Sequence, residues 1–276
     1  LTGLLIEGDN AATALLAAIR DPNLTLSLSP ATLRSIADHA TADRMGYGLS
    51  RVADALSWRQ PFDPRLVRLR LLIDRGELAL GGRWSVQDDP LDSLEAVLEA
   101  RAEPTIVLLG EGGAGKTTLL RRLEASTALA NLRGTQGDGG ATLPYFVPLR
   151  EFRVGPRVRA VEAREWLASR WAGQHPLQEG LAEALARGGV LLLLDGALSA
   201  GVFSEAEQRA LVEGWAQVAA WASSAHPSNR VLISSRHHRA TELLSTSAMR
   251  VPHAQIAPLD EAQIHRCAGH LAHIDA

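Results

Sequence analysis

Two stretches of the chain are apolar at consecutive positions rather than alternate ones: "TIVLLG" at 105–110 and "VLLLLDG" at 190–196. Continuous apolar runs of this length predict strands covered on both faces, the pattern of a parallel sheet enclosed by helices. "RVLISSR" (230–236) predicts a third such strand, "PYFVPLREF" (144–152) reads as strand-like, and "MRVPHAQIAPL" (249–259) predicts another. Between them the spacing turns helical, in "KTTLLRRLEASTAL" (116–129), "RAVEAREWLASRWAG" (159–173), "LQEGLAEALARG" (177–188) and "EAEQRALVEGWAQVAAWASS" (205–224). "DEAQIHRCAGHLAHI" (260–274) begins a further helix, and "GTQGDGGAT" (134–142) predicts a flexible loop. Strands separated by helices imply an α/β fold.

Residues before 104 have a different rhythm. "NAATALLAAIR" (10–20), "SPATLRSIADHA" (29–40) and "GLSRVADALSW" (48–58) predict short helices, the second with Ser29 as N-cap and Pro30 in its first turn. In "PFDPRLVRLRLLIDRG", Val67, Leu69 and Leu71 alternate with Arg68 and Arg70, the period of a half-exposed strand. "DPLDSLEAVLEARAE" (89–103) returns to helical spacing. The expected organisation is an N-terminal helical segment over 1–60, a connecting strand and helix over 61–103, a core over 104–256, and the start of a further helical segment over 257–276. Starting at Leu1 rather than Met and ending inside a predicted helix, the chain reads as a fragment.

Composition narrows the function classes. A chain of 276 residues that is 46% hydrophobic buries a sizeable core, and a formal net charge of −3 offers no electrostatic case for nucleic acid or an anionic membrane as main partner. No apolar run approaches the ~20 residues that span a bilayer, and no secretory leader pattern is present. The single cysteine, Cys267, rules out an intrachain disulfide and suits a reducing cytoplasm. The arginine and alanine bias fits a GC-rich bacterial genome.

The chain has 28 Lys plus Arg, and Lys116 is its only lysine. It sits in "GEGGAGKTT", which matches G-x-x-x-x-G-K-[ST] between a predicted strand and a predicted helix, the context that separates a phosphate loop from a chance glycine turn. Gly110, Gly112, Gly113 and Gly115 let the backbone turn so that successive N–H groups, including those of Glu111 and Ala114, converge on one anion. The helix adds its positive N-terminal end. Lys116 reaches the β- and γ-phosphates as a compact charge, for which an arginine fork is too broad, while Thr117 supplies a hydroxyl to Mg²⁺ and Thr118 extends the loop.

Asp195 ends the strand "VLLLLDG", placing a carboxylate at the sheet edge beside the loop, where it suits Mg²⁺. The residues that follow, Gly196, Ala197, Leu198, Ser199, Ala200 and Gly201, include no carboxylate to orient an attacking water, so hydrolysis is expected to be slow or absent. Ser234, Ser235 and Arg236 end the third strand at the same edge, and Arg236 is placed to meet a γ-phosphate. The guanine-reading motif N/T-K-x-D needs a lysine beyond Lys116, and there is none, which favours adenine. Cys267, His270 and His273 have helical i, i+3 spacing but no second ligand pair, so polar helix positions are the simpler reading than zinc. His237 and His238 read as loop residues, and Trp166, Trp171, Trp215 and Trp221 as packing residues in helices.

In their order, "VLLGEGGAGKTTLLRRL", "LPYFVPLREF", "VLLLLDG", "RVLISSR" and "IAPLDEAQI" make residues 104–276 resemble the NACHT domains of the STAND class of signalling P-loop NTPases. The resemblance implies a P-loop NTPase fold with a helical lid, in which Pro258 approaches the nucleotide. It also implies an ATP/ADP-and-Mg²⁺ switch that forms a homo-oligomer on activation, answering an unknown trigger and driving an unknown effector, as in bacterial defence. The family usually shows D-G-hydrophobic-D-E after the second strand motif, and Leu198 and Ser199 stand where its acidic pair belongs. The competing readings are a P-loop phosphotransferase or ordinary ATPase, for which Arg153, Arg157 and Arg159 would be the substrate-binding cluster, and a nucleotide-locked scaffold that never cycles.

Overall fold

The structure, a computed structural model, describes residues 10–21, 28–39, 43–57, 69–75, 83–87, 89–134, 142–152, 160–174, 179–196, 205–236, 242–245, 250–258 and 261. Its strands are β1 (Leu69–Asp74), β2 (Trp84–Val86), β3 (Thr105–Leu109), β4 (Leu143–Pro148), β5 (Val190–Asp195), β6 (Arg230–Ser235) and β7 (His253–Ile256). They form one sheet in the order β2-β1-β7-β3-β6-β5-β4. The five strands from β7 to β4 are parallel, and β1 and β2 extend that sheet in antiparallel fashion. The segment expected to connect, 61–103, therefore adds two strands beside β7, with Leu69 opposite Ile256.

Every residue of β3 and β4 is buried, as the continuous apolar runs require. Alternate residues serve opposite faces. Val107, Leu109, Leu192, Leu194, Val231 and Ile233 meet α6 (Ala160–Gln174), α7 (Leu181–Arg187) and α8 (Glu205–Ala225). Ile106, Leu108, Leu191, Leu193 and Leu232 meet α4 (Leu94–Ala100) and α5 (Lys116–Arg133). Trp171 and Trp215 are fully buried and Trp166 and Trp221 pack against the same cluster, as expected of them. Asn229 ties the far end of the sheet: its amide donates to the carbonyls of Leu185 and Ala222 while its oxygen accepts from Val190 N–H.

The predicted N-terminal helices are present as α1 (Ala11–Arg20), α2 (Pro30–Asp38) and α3 (Arg44–Ser57). Ser29 caps α2 by accepting from Thr32 N–H at 3.0 Å. Helix α3 starts four residues before the sequence reading placed it, because Asp43 accepts from Gly46 N–H at 2.6 Å and the extra turn buries Tyr47. These helices lie against the second half of α5, where Leu15, Ile19, Leu33, Leu49 and Val52 enclose Ala128 and Leu132. Two reciprocal bonds fasten the helix ends, Arg20 to the Leu132 carbonyl and Arg133 to the Ile19 carbonyl. Val67 and the loop 135–141 lie outside the described residues.

Where α5 meets α3 and β4 sits a buried carboxylate. Glu124, on α5, accepts from Phe146 N–H at 3.3 Å, and the Tyr47 hydroxyl lies 3.5 Å from its Oε1 while donating to the Pro144 carbonyl. Burial pushes the Glu124 carboxyl above the ordinary carboxylate range, with Arg51 and Arg121 pulling the other way. The folded state then holds this proton more tightly than the unfolded chain does. Stability falls as pH rises from the ordinary value through the raised one. Glu124→Gln, which keeps an oxygen for Phe146, is expected to flatten that slope and to raise unfolding free energy at pH 8 by about 1 kcal/mol, with a smaller gain at pH 5. Urea midpoints at the two pH values check this.

Candidate functional site

Strand β3 passes into α5 through residues 110–115, and the turn is made by glycines. Gly113 and Gly115 have φ of +80° and +90°, the left-handed region that side chains resist, and a Cβ at either would meet nothing within 4 Å. Gly110 is held for another reason: a Cβ there would fall 3.2 Å from Ile256 Cδ1 and 3.3 Å from Ala114 Cβ, so it lets β7 close on the loop. The loop is anchored by Gly110 N–H donating to the Ser235 carbonyl and Ala114 N–H to the Glu111 carbonyl. Glu111, Gly112, Gly113 and Ala114 are exposed on its outer side.

Lys116 opens α5 and is only 8% exposed. Its Nζ donates to the carbonyls of Gly110 at 2.6 Å and Glu111 at 2.8 Å, folding the ammonium under the loop. Burial holds its pKa below the ordinary lysine value, and the Arg236 charge adds to the shift, while Asp195 and Glu111 oppose it. Lys116 beneath the glycine loop and Arg236 over it place two cations on one short segment, with the Gly110 and Ala114 amides already turned to the Ser235 and Glu111 carbonyls rather than to a ligand. That arrangement favours a polyanion over any neutral ligand.

Asp195 ends β5, and β6 separates that strand from β3. Its carboxylate is gripped from both sides. Oδ2 accepts from Thr117 Oγ1 at 2.7 Å and Oδ1 from Ser234 Oγ at 2.6 Å. Arg236 follows β6 and lies over the loop, with a Cβ built at Gly112 falling 3.6 Å from its Nη1. The carboxyl ends of β3, β5 and β6 therefore bring Lys116, Thr117, Asp195 and Arg236 to one edge, with Thr118 half-buried on the next position of α5. A hydroxyl and a carboxylate side by side form a hard oxygen donor set that fits Mg²⁺.

Pro258 is exposed two residues beyond β7, past the same edge. Leu198, Ser199, Arg153, Arg157, Arg159, His237, His238, Cys267, His270 and His273 lie outside the described residues. Among the described residues no three His, Cys, Asp or Glu side chains gather to hold a metal, and no helix is long and apolar enough to cross a membrane. Ser234 reads in the sequence as a strand-end residue with no task, and its hydrogen bond to Asp195 is visible only in the fold. The register supplies the signal: Leu194 lies opposite Ile233, which sets Asp195 beside Ser234.

A family model described as the NACHT domain matches residues 104–274. The chain belongs to the NACHT family. The match begins one residue before β3 and covers the loop, Asp195 and Arg236, so this edge of the sheet is that of a nucleotide-binding P-loop NTPase domain. No curated protein is similar enough to the chain to count as a relative. For this NACHT domain, ligand binding to the folded state alone gives ~2.7 kcal/mol of stabilisation at a hundred times Kd. Lys116→Ala is expected to abolish that gain with MgATP while changing the nucleotide-free protein much less, because losing the bonds to the Gly110 and Glu111 carbonyls offsets the relief of a buried ammonium. Thermal melts with and without MgATP check both halves.

Proposed function

We propose that the chain is an ATP/ADP-binding switch of the STAND type, acting in the cytoplasm, whose nucleotide state controls self-assembly. The observation that carries it is the placement of Arg236 over Gly112, close enough to Lys116 for its charge to lower the ammonium's pKa. A third phosphate between these cations relieves their repulsion, so ATP and ADP differ in what they stabilise. Taking a two-state element from 1:99 to 99:1 requires about 5.5 kcal/mol of differential binding. Charge-assisted hydrogen bonds contribute ~1.5–3 kcal/mol each, so two or three to one added phosphate reach that scale.

In this reading the loop 110–115, through the amides not turned to the Ser235 and Glu111 carbonyls, and Lys116 bind the phosphates, Thr117 and Asp195 hold Mg²⁺, Arg236 reads the terminal phosphate, and Pro258 lies on the side of the lid. Bound there, Mg²⁺ supplies charge neutralisation between phosphate oxygens. Asp195 accepts a hydroxyl hydrogen at each oxygen, which supports a metal-holding role over that of a mobile base. With no carboxylate in the six residues after it, water activation is weak. A positioned base contributes ~10²–10⁴ in rate, so turnover is expected below about 0.1 s⁻¹ against a typical ~10 s⁻¹. A trigger and an effector, as in bacterial defence, complete the proposal.

The test is sizing of the full-length protein with ADP and with a non-hydrolysable ATP analogue, alongside phosphate release. Larger assemblies with the analogue and slow release are expected. The same monomer in both, or several turnovers per second, overturns the switch in favour of an ordinary ATPase or phosphotransferase. Tightly held nucleotide that never exchanges overturns it in favour of a fixed scaffold. Arg236→Ala is expected to weaken ATP binding about tenfold or more while changing ADP binding little, since one charged contact is lost. Titration with each nucleotide checks it.

A further inference from the structure

Ser234 is wholly buried, yet it is not packed as a small apolar filler. Its Oγ accepts from Gly196 N–H at 2.8 Å and donates to Asp195 Oδ1 at 2.6 Å. The backbone at Gly196 has φ of +83°, which folds that amide back toward β6 rather than onward. One hydroxyl thus closes a small ring through Asp195 and its successor. With the Gly196 amide directed at its lone pair, the Ser234 hydrogen goes to the carboxylate.

We propose that Ser234 is a positioning residue for the Asp195 carboxylate, pinning Oδ1 so that Oδ2 faces Thr117 and the phosphate loop. The last torsion of an aspartate is broad and roughly two-fold, so a carboxylate held at one oxygen samples a range of orientations that a second bond narrows. Thr117 holds one oxygen from α5, and Ser234 holds the other from β6. Without Ser234, Asp195 spends part of its time turned away, and the donor set of Thr117 and Asp195 is incomplete for that fraction. The Ser234 hydroxyl thus acts on the metal-dependent part of nucleotide affinity and on nothing else in the loop. This inference rests on the nucleotide-and-magnesium reading of the site.

Calorimetric titration of the protein with ATP, once with Mg²⁺ and once with EDTA, separates the two parts. Ser234→Ala is expected to lower the Mg²⁺-dependent gain in affinity about tenfold and to leave affinity in EDTA unchanged, and Ser234→Thr, which keeps the hydroxyl, to restore most of the gain. In an Asp195→Asn background Ser234→Ala is expected to have no further effect, because the two act as one unit. A wild-type protein that gains affinity with Mg²⁺ and keeps the whole gain in Ser234→Ala overturns the positioning role alone. Equal losses with and without Mg²⁺, or additive losses in the double variant, also overturn it, since they mark a merely structural serine. A wild-type protein with no Mg²⁺-dependent gain overturns the site reading and this inference with it.

Discussion

Helix α5 must bury two opposite sides, and most of the structure follows from that constraint. Its first turns turn Leu119, Leu120 and Leu123 to the sheet, while Ala128 and Leu132 further along face the N-terminal helices. A helix with solvent on one side carries a single apolar stripe, whereas one enclosed on two sides carries apolar residues almost all round. The consequence is a fixed axis. The phosphate loop at one end of α5 cannot shift without disturbing the sheet, and the reciprocal arginine bonds at the other end hold α1 to the same axis.

On that axis the site is assembled by strand order rather than by loops. Parallel strands deliver their carboxyl ends to one edge, and placing β6 between β3 and β5 sets Ser234 beside Asp195 and Arg236 over the loop. The hydroxyl of α5 and the hydroxyl of β6 then meet one carboxylate. The cost is a crowd of like charges: Lys116 is buried and stands close to Arg236. Backbone carbonyls of Gly110 and Glu111 offset it by accepting from the ammonium. Local strain and charge repulsion of this sort persist only where a well-packed frame over-determines the geometry.

The sheet and the helices were legible because their signals are local. Runs such as "VLLLLDG" need both faces covered, and the glycine–lysine loop has few alternative uses. Ser29 as a cap was legible for the same reason. What escaped notice depends on partners far away in sequence. Glu124 looks like one more polar residue in "RRLEAS", and only the approach of Tyr47, 77 residues earlier, and of Phe146 makes it a buried carboxylate. The strands β1 and β2 join the sheet through β7, a pairing of residues nearly two hundred positions apart that no local pattern encodes. The early start of α3 hid behind Gly46 and Gly48, which lower helix propensity by about 1 kcal/mol each, although Gly48 lets α3 come close to Leu132.

Glu124 also links the N-terminal helices to the helix that carries the phosphate loop. It lies midway along a helix of 18 residues, roughly 27 Å long, and touches α3 through Tyr47 and β4 through Phe146. Arg121, one turn earlier, lies 4.1 Å over the Phe146 ring and reaches Asp54 of α3 at 3.4 Å. Apolar contacts alone would let α3 slide along α5 at little cost, because dispersion is not directional. A buried carboxyl that accepts from Phe146 N–H, beside a Tyr47 hydroxyl that donates to the Pro144 carbonyl of the same strand, does not allow sliding, since any shift leaves a polar group without its bond. The polar cluster therefore sets the register between α3 and α5. Any rotation of α5 that accompanies a change at Lys116 must move α3 with it or break these bonds.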